Sequence, residues 1–98
     1  MSALADPTPE ELLEQIRGIK VGQFLVSTAA TLTSLAFGKL QADEPDEARL
    51  AIDAIGTIVP LLQGHVEDEA RRAVEQALTN VKLAYAEAVA ASSDQATE

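Results

Sequence analysis

Ninety-eight residues give room for one domain and not two. Hydrophobic residues make up 47% and charged residues 23%, which places the chain with globular rather than disordered proteins; the absence of cysteine excludes disulfides, thiolate metal sites and a cysteine nucleophile. A formal net charge of −9 argues against nucleic-acid binding, which depends on Lys and Arg displacing phosphate counterions, and a single histidine excludes a multi-histidine metal centre.

Residues 1–7 hold no basic segment and no apolar run, so no secretory signal is read there and a cytoplasmic location is expected. Residues 1–7 and 92–98 read as loose tails around a single helical domain over 8–91. The first helix starts at Thr8-Pro9-Glu10-Glu11, where Thr8 can cap, Pro9 suits the first helical position and Glu11 completes a capping box. It runs through Leu12, Leu13 and Ile16 to about Arg17. Gly18 and Gly22 then weaken the helix by about 1 kcal/mol each relative to alanine. The chain either bends there or continues straight into the second helix.

That second helix covers about Lys20 to Leu40 and carries no charge between Lys20 and Lys39. Val21, Leu25, Leu32 and Leu35 fall on one side, and Val26, Ala30, Thr33 and Phe37 on another. A helix apolar on every side is expected to be buried. Its uncharged run, Val21 to Gly38, reaches the lower limit for a membrane span. Eight of those residues are Gly, Gln, Ser or Thr, and aromatic anchors are missing from its flanks, so a buried core helix is preferred and no membrane span is expected. Gly38 and Lys39 suit its end.

Ala42 to Glu47 reads as a turn leading into the acidic first turn of a third helix, from about Pro45 to Gln63. Its apolar stripe is Leu50, Ala51, Ala54, Ile55, Ile58, Val59 and Leu62, and Pro60 should kink or end it. Gly64-His65-Val66 connects to a fourth helix from about Glu67 to Ala90. The stripe of that helix is small: Ala70, Ala73, Val74, Ala77, Val81, Ala84, Tyr85 and Ala88. Glu67–Arg71 and Asp68–Arg72 stand at ion-pair spacing on its outer face. The fold class expected is all-α, three or four helices in a small antiparallel helical bundle completed by self-association.

The segments Phe24-Leu25-Val26-Ser27-Thr28-Ala29, Ala48-Arg49-Leu50-Ala51-Ile52-Asp53-Ala54-Ile55, Leu61-Leu62-Gln63-Gly64 and Leu78 through Tyr85 resemble small bacterial proteins catalogued as domain of unknown function 1844, over about residues 20–86. The chain departs from that pattern at His65-Val66-Glu67, where members often carry an Asn-Leu-Thr type cap, and at Pro60. The resemblance implies a small bacterial helical protein and carries no activity or site residue with it.

The polar constellations favour bland readings. Asp43, Glu44, Asp46 and Glu47 lack the alternating ligands, central glycine and terminal glutamate of a calcium loop, and read as acids at a helix start. His65 with Asp68 and Glu69 lacks a nucleophile or further ligands. Ser27, Thr28, Thr31, Thr33 and Ser34 are expected to bond back to the preceding turn. Arg49 and Asp53 form a candidate ion pair, either exposed on the outer face or with Asp53 buried and paired across helices, to Arg49 or Arg71. No catalytic, cofactor or metal residue is assigned, and no enzyme activity is expected.

A short chain with three aromatics cannot easily cover a helix that is apolar all round. Self-association, most economically a two-fold dimer, is therefore expected. The candidate interface or core residues are Val21, Phe24, Leu25, Thr28, Leu32, Leu35 and Phe37. The functional expectation is a non-enzymatic structural or protein-interaction module whose partner is itself or another protein. A small-molecule or lipid-binding bundle with a cavity along the second helix, and a peripheral membrane protein, are the alternatives.

Overall fold

The computed structural model describes residues 8–96, so the N-terminal tail expected over 1–7 lies outside the described residues. All regular structure among them is helical: α1 (Pro9–Gly18), α2 (Val21–Gln41), α3 (Pro45–Leu61) and α4 (Asp68–Ala96). The C-terminal tail expected from residue 92 is therefore helical as far as Ala96; alanine, serine and glutamine contain nothing that stops a helix there, as proline would.

α1 begins as its sequence suggests, with the Thr8 hydroxyl accepting the Glu11 amide at 3.1 Å. It ends at Gly18, and extended backbone at Ile19 and Lys20 separates it from α2. The first two helices are thus not continuous. α2, α3 and α4 pack against one another, and α1 packs against none of them.

The α2–α3 turn is tight. Asp43 adopts a left-handed backbone, φ 61°, which aspartate tolerates better than most residues. The Glu44 amide donates to the Lys39 carbonyl at 2.8 Å, while Lys39 Nζ meets Glu44 Oε2 at 3.0 Å. The Glu44 carboxylate, by hydrogen bond and charge, raises the Lys39 ammonium above the ordinary lysine range. A raised lysine stabilises the fold below its unfolded value and loses that contribution as pH rises through the folded one. The turn therefore weakens in strong alkali, above about pH 10.4. Glu44→Gln should lower the neutral part of a denaturation-midpoint profile slightly and flatten its alkaline arm, so that the two profiles converge in strong alkali.

Register follows from who meets whom. A Cβ built on Gly22 would stand 2.8 Å from the His65 carbonyl oxygen, so the start of α2 lies against the α3–α4 connection. Leu40 at the other end of α2 shares a concavity with Tyr85 and Val89 of α4. α2 and α4 are therefore parallel, with α3 antiparallel to both.

The core is thin. Its buried residues are Ala29, Ala36, Ala48, Ala51, Ile52, Ile55, Leu62, Val74 and Val81, and the largest that are fully buried are Ile55, Leu62 and Val81. Small side chains let helix backbones approach closely, but each removes little apolar area from water. Pro60 lies inside the last turn of α3, which ends one residue later, short of the Gln63 expected from the pattern.

Candidate self-association surface

α2 spans the middle of this arrangement, yet only Ala29 and Ala36 of its residues are buried. With 3.6 residues per turn, these two mark the inward line, and the remaining apolar residues fall to either side of it. On the α3 side run Val21, Phe24, Thr28, Leu32 and Leu35; on the α4 side lie Val26, Ala30, Thr33 and Phe37. Leu32 and Leu35 share a groove of about 130 Å³ with Lys39, Glu47, Leu50, Ala51 and Ala54. On the other flank, Val26, Ala30 and Thr33 share one of about 150 Å³ with Ala73, Val74 and Ala77.

The seven candidate residues thus divide. Leu25 and Leu32 pack against the core as partly buried residues. Val21 is 70% exposed, Phe24 59% and Leu35 49%, all on the α3 flank. Phe37 is exposed on the opposite flank. Across the groove from Leu35, Leu50 of α3 is 66% exposed. Leu50 belongs to the apolar stripe read for α3, but the stripe is wider than the core, and Leu50 falls on its solvent edge.

The arm adds to the same surface. Leu12, Leu13, Ile16 and Ile19 are all exposed, and Ile16 and Ile19 line one open concavity with Val21 and Phe24. Six large side chains left about half uncovered at one end of the molecule amount to several hundred Å², at or beyond the largest patch of an ordinary monomer.

Three of the five hydroxyls of this helix bond back to the preceding turn, while Ser27 and Ser34, both exposed, do not. Thr28 donates to the Phe24 carbonyl at 2.9 Å, Thr31 to Ser27 at 3.1 Å and Thr33 to Ala29 at 2.8 Å. Each is satisfied within its own helix, so Thr28 and Thr33 add no unpaired donor to the flanks on which they stand.

The remaining polar candidates do not converge. Arg49 and Asp53 are both exposed, which removes the buried, cross-helix carboxylate. Nor are they among the ion pairs of the described residues, which are Lys39–Glu44, Arg71–Asp68 and Arg71–Glu75. Two solvated side chains gain little by pairing over staying hydrated. Arg71 takes Asp68 and Glu75 rather than Glu67, and Glu67 lies just outside α4. His65 is exposed in the connecting turn. No group of three or more His, Cys, Asp or Glu among the described residues could hold a metal ion.

Asp43 and Asp46 border a concavity of about 320 Å³ with Leu40, Pro45, Tyr85 and Val89, at the far end from the arm. The grooves along α2 are smaller than the ~300 Å³ at which ligand pockets begin. α2 is long and apolar enough to cross a membrane by length and composition, with mean hydropathy 1.3 and 11% of that window buried. No protein-family model, curated protein or solved structure matches this chain.

Proposed function

We propose that the protein is a non-enzymatic helical module that works as a homo-oligomer, in the simplest case a dimer. The observation that carries this reading is the exposure of Val21, Phe24, Leu35 and Leu50 on one flank of the α2–α3 pair, continuous with the bare apolar side of α1. Water-exposed aliphatic and aromatic area on this scale is stabilised by burial at about 25 cal/mol per Å². A second copy supplies a matching surface without any further gene product, and two-fold contacts are the commonest closed solution. The dispersed carboxylates, solvated His65 and internally bonded threonines of α2 support the non-enzymatic part.

Absolute mass by light scattering on a sizing column, over a hundredfold range of concentration, tests the proposal. A dimer or higher oligomer that dilutes reversibly is the expected result; a monomer at every concentration overturns it. Phe24→Glu places a charge in the middle of the apolar stripe. It should weaken association at least tenfold, about 1.4 kcal/mol, while leaving the far-ultraviolet helical signal of α2–α4 in place.

One observation favours a second reading, association with a lipid surface: the most apolar helix is also among the least covered. The acidic net charge opposes binding to anionic bilayers. Co-sedimentation with neutral vesicles but not with anionic ones, by a chain of monomeric mass, would select it.

A further inference from the structure

Resting on the self-association reading, we infer that two copies cross antiparallel about a two-fold axis at Thr28, and that α1 of each copy lies in the α2–α3 groove of the other. The register follows from spacing. Val21, Phe24, Thr28, Leu32 and Leu35 form one stripe that is symmetric about residue 28. An isologous contact centred there sets Val21 against Leu35 of the second copy, and Phe24 against Leu32 of the second copy. Every large side chain of the stripe then has an apolar counterpart.

Thr28 suits the crossing point. It is small, and its hydroxyl already donates to the Phe24 carbonyl at 2.9 Å, so it brings no unpaired donor into a dry contact. A larger residue there would hold the two helices apart.

The antiparallel crossing carries α1 beyond Leu35 of the second copy, over the groove bordered by Leu35, Lys39, Glu47 and Leu50. Area requires the arm. Val21, Phe24 and Leu35 expose only a few hundred Å², short of the ~800 Å² that each partner contributes to a standard interface. Adding Leu12, Leu13, Ile16 and Ile19, with Leu50 opposite, brings the contact to that size.

The chain's own arm cannot fill this groove. α1 has 10 residues, a length of about 15 Å, whereas Leu35 lies about 21 Å along α2 from Val21. Folded back from Ile19, the arm would stop short of Leu35 and Leu50. The groove therefore takes its cover from a second copy.

Because the chain lacks cysteine, single cysteines report proximity directly. Val21→Cys chains, enlarged by a mass tag, are mixed with Leu35→Cys chains and oxidised; tagged Leu13→Cys chains are mixed with Leu50→Cys chains in the same way. Leu83→Cys, on exposed α4 surface, gives the background. Both mixtures should give tagged–untagged covalent dimers at least tenfold above that background. Ile16→Cys replaces Leu13→Cys if that variant loses helicity.

Preferential coupling of Val21→Cys and Leu35→Cys each to itself would mean a parallel crossing and overturn the inference. Background coupling in both mixtures, with dimeric mass before oxidation, would overturn it while leaving self-association standing. Monomeric mass before oxidation, with no coupling, would overturn both.

Discussion

Ile55→Ala should lower stability by about 2–5 kcal/mol, the usual cost of emptying a fully buried aliphatic site. Ile55 is 0% exposed, at the centre of the cluster that joins α2, α3 and α4. Four of the nine buried residues among those described are alanines, which leaves few large neighbours to collapse into the space. A small domain has about 5–15 kcal/mol in total, so this one truncation removes a large share of it. The measurement is a urea midpoint at fixed protein concentration, since association would add a concentration-dependent term. Leu83→Ala is the control: that side chain is 59% exposed on α4 and lies on no surface proposed for contact, so its change should stay within about 0.5 kcal/mol. Equal effects at the two positions would contradict the core as described.

The second large effect is a difference of sign between two glycines. Alanine is a better helix former than glycine by about 1 kcal/mol, so Gly→Ala inside a helix stabilises where the site has room. Gly56, in the middle of α3, has nothing within 4 Å of the position a Cβ would take. Gly56→Ala should therefore raise stability by about 0.5–1 kcal/mol. At Gly22 the same methyl would stand 2.8 Å from the His65 carbonyl oxygen and 2.9 Å from Val66 Cγ1. Backbone cannot rotate away as a flexible side chain can, so Gly22→Ala should destabilise by about 1–3 kcal/mol in spite of its better propensity. Thermal midpoints of the two variants, run side by side, read the contrast. A stabilising Gly22→Ala would mean that α2 does not rest on the α3–α4 connection.

These glycines also show where sequence reasoning stops. The pattern identifies four helices, the Thr8 cap and the two flanks of α2, because each depends on residues a few positions apart. Gly22 reads from the sequence only as a weak point in a helix. Its partner, His65, is far along the chain, and close approach between distant segments leaves no local trace. Gly18 and Pro60 stand at or beside the ends that α1 and α3 take, but the sequence left open whether α1 ran on into α2 and carried α3 to Gln63.

The face that α2 turns inward is the other point not legible in advance. All-round apolarity says that the helix is to be covered, not by what. Large residues such as Phe24 and Leu35 look like core, but the helices approach along Ala29 and Ala36, where small side chains permit it. The bulkier residues stand aside and become surface. Of the site, the seven candidates therefore contained the stripe, while Leu50 and the four apolar residues of the arm were not assigned to it; α1 looked like a local element with its own short stripe. Arg49 and Asp53 stood out by their spacing and their place in the resemblance, and both are exposed to water.

The route by which α2, α3 and α4 join has a consequence for how quickly this fold forms. α3 follows α2 after a short turn, and α4 follows α3 after a single brief connection, so two of the three packed helix pairs are consecutive in the chain and only α2 with α4 is not. Low contact order of this kind belongs to helical domains that fold in microseconds to milliseconds. Docking of two copies, as proposed above, would be bimolecular and slow as the chain is diluted. Under the proposed self-association, the three-helix unit would at low abundance be complete well before its apolar flank is covered, and in that interval the chain would be most exposed to wrong partners.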